Sequence, residues 1–204
     1  VATEDTYAAG QYLTELQALG IVDRSRIRIV PLPTTDGRSA PGALIERLQT
    51  TQNDPDLPHL PADEYWAVFD VDHHREEELT TAAALAERHG YQLAGSNPCF
   101  ELWLLLHLTD DFTGIDPSSE NRRAPQLCEE RLHKVLQAGD SRARGYSKND
   151  IGAGRFAVPE RVQTACKRAS DLMPPAREPW PSRVGTHVHL LMERLPPAST
   201  ARPA

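Results

Sequence analysis

Apolar residues recur at Tyr12, Leu13, Leu16 and Leu19, close to the spacing of one helical face, and Gly20 follows where a helix would stop. The pattern predicts a helix over residues 8–19. Arg26 to Val30 alternates charged residues with Ile27 and Ile29, which predicts a short strand. The loop PLPTTDGRSAPG, a second helix in ALIERLQT and a loop rich in proline and aspartate, NDPDLPHLPADE, come next. YWAVFDV, residues 65–71, is the clearest strand in the chain. REEELTTAAALAERHG carries acids in its first turn and Gly90 at its end, as a helix does, and YQLAGS predicts a further strand.

The stretch SNPCFELWLLLHL, residues 96–108, is almost continuously apolar. Eight of the ten residues from Cys99 to Leu108 are apolar, and Glu101 and His107 interrupt the run. Asn97 as cap with Pro98 at the first helical position would start this helix and put Glu101 about one turn inside. Further helices are predicted around 125–138, 159–172 and 186–195, with the polar, basic loop GDSRARGYSKND between the first two. Alternating helices and strands predict an α/β fold, a parallel sheet with helices on both faces, followed by a C-terminal helical extension. Residues 1–108 would form the α/β core, 109–195 a helical part packed on the same domain, and 196–204 a disordered, proline-rich tail. The usual opening strand is missing from the pattern.

With 39 % hydrophobic and 25 % charged residues and a formal charge of -7, the 204-residue chain has the composition of a soluble globular protein with one sizeable core. Charge is uneven. Residues 1–102 hold 17 Asp plus Glu against 7 Lys plus Arg, or -10, which leaves 12 against 15, or +3, for the rest. Three widely spaced cysteines, Cys99, Cys128 and Cys166, form neither a CxxC pair nor a disulfide framework, and point to a reducing cytoplasm. The apolar run at 99–108 is about half of the roughly 20 residues that a membrane-spanning helix needs, and no N-terminal signal peptide is legible. The expected localisation is cytoplasmic.

The candidate chemistry begins where YWAVFDVD ends. A period of two puts Asp70 and Asp72 on one side of the strand, at the carboxyl end where open parallel sheets bind ligands. Two hard oxygen donors so placed suit Mg²⁺, with Mn²⁺ as the alternative, although acids also end strands by bonding into turns. An EF-hand is excluded, since counting from Asp70 puts Arg75 at position 6 and Thr81 at position 12. A neighbouring parallel strand would bring Glu101 to the same edge, as a metal ligand, as a group orienting one, or as half of an ion pair with an arginine. His73 and His74 follow the acids on opposite sides of the strand. His187 and His189 do not share a helical face, and His107 reads as a hydrogen-bonded core residue. Arg142, Arg144 and Lys148 around Tyr146 offer cations beside an aromatic ring, the combination that binds a nucleic-acid strand, and are equally those of a solvated loop.

SNPCFELWLLLHL resembles the signature helix of the RloB-like family, the strand ending DVDHH resembles that family's DxD, and PSRVGTHVHLLMERL is similar to its closing segment. The resemblance covers nearly the whole chain. It implies a TOPRIM-like fold, and with it a metal-dependent nuclease hydrolysing phosphodiesters of RNA or DNA in bacterial anti-phage defence, with an ATPase or restriction-system protein as a possible partner. In such domains a glutamate after the first strand joins the DxD in holding Mg²⁺. The family's EGxxTExxYF pattern, laid on TEDTYAAGQYLTEL, puts that glutamate on Glu4, while Asp5 replaces the glycine and Ala8 and Ala9 replace the TE. Only three residues precede Glu4, so the first strand is expected to be truncated or to lie upstream. The resemblance thus implies Glu4, Asp70 and Asp72 as metal ligands, Glu101 as a further catalytic group, and Arg142, Arg144, Lys148 or Arg155 as contacts to the nucleic-acid backbone.

Two other readings stay open. A haloacid-dehalogenase-like phosphatase also carries a DxD after a strand, but His73 and His74 stand where that family usually has Gly and Thr or Val. A non-catalytic TOPRIM-like module that binds a nucleic acid, a nucleotide signal or a protein partner fits the altered N-terminal motif.

Overall fold

The computed structural model describes residues 1–4, 7–23, 28–34, 37–116, 123–139, 145–173 and 178–195. One sheet has the strand order β2-β1-β3-β4-β5, made of β1 (Ala2–Thr3), β2 (Leu32–Pro33), β3 (Trp66–Asp70), β4 (Gln92–Asn97) and β5 (Gly185–Thr186). Strands β1 to β4 are parallel, and β5 runs antiparallel to β4 with Ser96 opposite Thr186. Around it stand α1 (Ala8–Ala18), α2 (Pro41–Gln52), α3 (Glu76–His89), α4 (Phe100–Leu106), α5 (Ala124–Gly139), α6 (Pro159–Leu172) and α7 (Val188–Glu193). The α/β architecture is the one that the alternating pattern predicts.

The period of two along β3 splits its residues between two cores. Trp66 and Val68 join Ala94 of β4 in a large cluster with α1, α4, α5, α6 and α7. Ala67, Phe69 and Val71 point the other way, into a smaller cluster with α2 and α3. Helix α4 is buried all round: Leu102 to Leu106 are each 0 % exposed, which is why its sequence shows no polar stripe. Gly95 lets β4 pass close to its neighbours, since an added Cβ would stand 3.1 Å from the Phe69 ring and 3.4 Å from Pro181. Among the described residues no helix is long and apolar enough to cross a membrane.

The first strand, expected to be truncated, is short rather than absent. Ala2 and Thr3 form a two-residue strand inside the sheet, paired with β2 on one side and β3 on the other, and both are fully buried. Two residues are too few to show any alternation. The predicted strand Arg26–Val30 fails: residues 24–27 lie outside the described residues, and 28–30 carry no strand. Ile29 instead gives its N–H to Gln17 Oε1 at 2.9 Å and takes Gln17 Nε2 on its carbonyl, so a helix side chain satisfies the backbone that a strand neighbour would otherwise bond. The strand lies just downstream, in residues read as loop. The antiparallel edge β5 was not legible either, and it shortens the predicted helix at 186–195 by claiming Thr186. The tail 196–204 lies outside the described residues.

Candidate functional site

Parallel strands deliver their carboxyl ends to one edge of the sheet, and four acidic residues collect there. Glu4 follows β1 and continues its pairing, with its N–H on Val68 O at 3.0 Å. Its Oε2 accepts the Asp70 N–H at 2.8 Å and lies 3.4 Å from His74 Nε2. Asp70 ends β3, and its Oδ1 accepts the Phe100 N–H at 2.8 Å.

That last bond corrects the predicted start of α4. Strand β4 continues through Asn97, which stands opposite Gly185 and donates Nδ2 to Pro181 O at 2.9 Å. The Asn97–Pro98 peptide is cis, Cys99 is the cap residue, and the helix begins at Phe100. A first-turn amide needs an acceptor, and here Asp70 supplies it from the next strand, a cap that no local sequence pattern records. Glu101 is consequently the second helical residue rather than one turn inside.

Asp72 lies just past the strand, its N–H on Pro98 O at 3.3 Å. Its side chain is 12 % exposed, beside Glu4 at 16 % and Glu101 at 4 %. Asp72 Oδ1 is buried and has no hydrogen-bond partner, and Oδ2 is 3.5 Å from Nδ1 of the exposed His73. Burial raises the Asp72 pKa above the usual carboxylate range. The charge of His73 opposes this, that of Glu4 adds to it, His74 opposes it and Glu101 adds to it. A turn closed by the His74 N–H on Val71 O brings His74 back against Glu4, so strand alternation does not govern its direction.

Glu101 is held by a phenol and a lysine, not by the arginine of the alternative reading. Tyr146 Oη donates to Glu101 Oε1 at 2.5 Å, and Lys148 Nζ is 3.8 Å from the same oxygen and 2.7 Å from Glu129 Oε1. Burial pushes the Lys148 pKa down, but the hydrogen bond to Glu129 and the charge of Glu101 outweigh it and leave it raised. Lys148, predicted to grip a nucleic-acid backbone, thus gives its ammonium to two carboxylates. Arg155 folds back over Gly152, where an added Cβ would stand 2.9 Å from Arg155 Nε. Arg142 and Arg144 lie outside the described residues. His187 and His189 are buried and have lowered pKa values, His187 to about 4, chiefly through burial.

Among the described residues no three His, Cys, Asp or Glu side chains are arranged to hold a metal ion. A zinc-type cage is therefore not the fitting comparison. Mg²⁺ asks for less: it keeps several waters and takes one or two carboxylates together with substrate phosphate. The buried, unpartnered Oδ1 of Asp72, next to Glu4 and Glu101, fits that looser demand, and a divalent charge would offset the burial and the like charges that raise the Asp72 pKa. Asp70 is partly committed to capping α4, and His74 and Tyr146 are additions that only the folded chain displays.

No curated protein and no solved structure matches the chain. The family model described as RloB-like protein matches residues 1–195, nearly the whole length, and the chain accordingly belongs to the RloB-like family.

Proposed function

We propose that the chain is a metal-dependent nuclease of TOPRIM-like design that hydrolyses phosphodiesters of RNA or DNA, acting in bacterial anti-phage defence. The observation that carries this reading is the buried, partnerless Asp72 Oδ1 among Glu4, Asp70 and Glu101 at the carboxyl edge of a parallel sheet. A bound Mg²⁺ or Mn²⁺ would supply charge neutralisation at the scissile phosphate and a bound water of lowered pKa. Asp72 and Glu4 are the residues to hold it. Asp70 fixes the edge by capping α4, and so sets where Glu101 stands. Tyr146 and Lys148 orient Glu101 toward the other acids, and His74 orients Glu4.

One observation favours the second reading, a module that binds without cutting: the N-terminal motif is altered, with Asp5, Ala8 and Ala9 where the family's pattern has Gly and TE. A cleavage assay separates the two. Total RNA, single-stranded DNA and plasmid DNA are incubated with the protein in Mg²⁺, Mn²⁺ or EDTA, beside Asp72→Asn. Metal-dependent cutting abolished by the substitution is expected. Absence of cutting on all three substrates, with nucleic acid still bound, would favour the module.

A further inference from the structure

We infer that Lys148 stands in for a second metal ion: one divalent cation is held on the Asp72 side of the acidic edge, and the Lys148 ammonium binds the substrate phosphate from the Glu101 side. The inference rests on the nuclease reading and deepens it. It fixes how many metals the site takes and which side chain meets the phosphate.

Lys148 Nζ lies 2.7 Å from Glu129 Oε1 and 3.8 Å from Glu101 Oε1. Glu101 in turn is close enough to Asp72 for its charge to act on that carboxylate. Glu101 therefore links the ammonium to the edge that carries the unpartnered Asp72 Oδ1. The backbone on both sides of Lys148 is tied down. Two residues before it, Tyr146 donates to Glu101 Oε1 at 2.5 Å. Just after it, Asn149 O accepts Gln11 Nε2 at 3.1 Å, and the Ile151 N–H reaches Gln11 Oε1 at 3.2 Å. A lysine on a tethered segment, steadied by a carboxylate, is a charge held in place before substrate arrives. Its side chain is nevertheless half-exposed, so a phosphate can reach it.

An ammonium has three protons to donate. Glu129 takes one, and Glu101 at 3.8 Å is a charge contact beyond hydrogen-bond reach, so the remaining N–H groups are left for phosphate oxygens. The same geometry works against a second metal ion. Two-metal sites hold their ions roughly 3.5–4 Å apart, and from Asp72 the next acid on the Lys148 side is Glu101. Its Oε1 already takes the hydrogen bond of Tyr146, and an ion on that oxygen would face the fixed positive charge of Lys148. Glu4 Oε2 and Asp70 Oδ1 likewise accept backbone N–H groups. Among the described residues Asp72 Oδ1 is the carboxylate oxygen that is buried without any donor. The site thus offers one place that lacks a positive partner and, across Glu101, one place where a positive charge is already built in. Lys148 acts there by charge alone: it neutralises a phosphate oxygen and keeps its proton.

The test titrates Mn²⁺ into the full chain, Lys148→Met and Lys148→Arg, counting bound ions by electron paramagnetic resonance, and then titrates inorganic phosphate into each Mn²⁺-loaded protein by calorimetry. The wild type should bind one Mn²⁺ per chain. Lys148→Met removes a positive charge from beside the metal, so Mn²⁺ should bind about twofold or more tighter, while phosphate should bind about tenfold or more weaker. Lys148→Arg, which keeps the charge, should hold phosphate to within about threefold of wild type. The opposite signs set this role apart from that of a strut. A lysine that only held Glu101 in place would, when removed, weaken Mn²⁺ binding and leave phosphate binding unchanged. Two Mn²⁺ per wild-type chain, weaker Mn²⁺ binding by Lys148→Met, or phosphate binding that is absent or indifferent to the substitution would overturn the inference and leave the nuclease standing. A wild type that binds no Mn²⁺ at all would sink the nuclease reading and the inference with it.

Discussion

The two polar residues that interrupt the apolar run of α4 lie at its opposite ends and meet opposite surroundings. At the far end His107 is closed off. Its Nδ1 is 2.8 Å from Trp103 O, which can only accept, so Nδ1 carries the proton and Nε2 accepts Tyr12 Oη–H at 3.0 Å. Burial then holds its pKa down at about 4, and the ring packs edge-on against Tyr12, Trp103 and Phe156. At the near end Glu101 faces three more acids, and Asp72 Oδ1 finds no donor. An unmade buried hydrogen bond costs about 1–3 kcal/mol. Among the described residues Asn97 Oδ1 and Trp103 Nε1 are also without a partner, so what sets Asp72 apart is that its unpartnered oxygen lies among like charges. An incomplete set beside like charges is the mark of a place kept for something else.

Substitutions at the two ends should separate these roles. His107→Ala removes packing and strands the Tyr12 hydroxyl, so urea denaturation should show a loss of about 3–5 kcal/mol, the same with and without Mg²⁺. The next largest effect comes from acid. Burial lowers His107 and His187 to about 4 in the folded protein against the usual 6.5, so the unfolded chain binds more protons between those values and stability falls as pH drops from 6.5 to 4. The loss approaches about 3 kcal/mol per histidine at the limit, measurable as a falling urea midpoint. Above pH 6.5 neither contributes a slope.

At the acidic end the signs reverse. Asp72→Asn removes a buried charge from a like-charged cluster, so the metal-free protein should gain about 1 kcal/mol while metal-dependent cleavage falls at least about a hundredfold. A substitution that lowered both would mean that Asp72 is structural, like His107. The smallest effect is expected from Tyr146→Phe, which deletes the hydroxyl on Glu101 and should lower cleavage about tenfold, with stability changed by about 1 kcal/mol or less.

What the sequence shows of these two ends differs for the same reason that their chemistry does. Helix α3 announces itself through Glu76, Glu77 and Glu78 at its start and Gly90 at its end, with φ +71°, all local signals. Strand β3 and the apolar body of α4 are equally plain, and so are the acids Asp70, Asp72 and Glu101. The joints between them are not. Strands β1 and β5 are two residues long, the cap of α4 comes from Asp70 across the sheet, and Tyr146 reaches Glu101 from a loop 45 residues away. Each depends on chain segments far apart in sequence, where periodicity carries no information. The residue types of the site were therefore legible, and their division of labour was not.

The central claim is that the acidic edge is open for a divalent cation, and a thermal melt tests it most directly. A ligand that binds only the folded state raises Tm with its concentration. Mg²⁺ or Mn²⁺ titrated into the protein should raise Tm progressively, EDTA should reverse the rise, and Asp72→Asn should start from a higher Tm and show no metal-dependent shift. A wild-type Tm indifferent to both metals, or a shift that Asp72→Asn retains in full, would contradict the account.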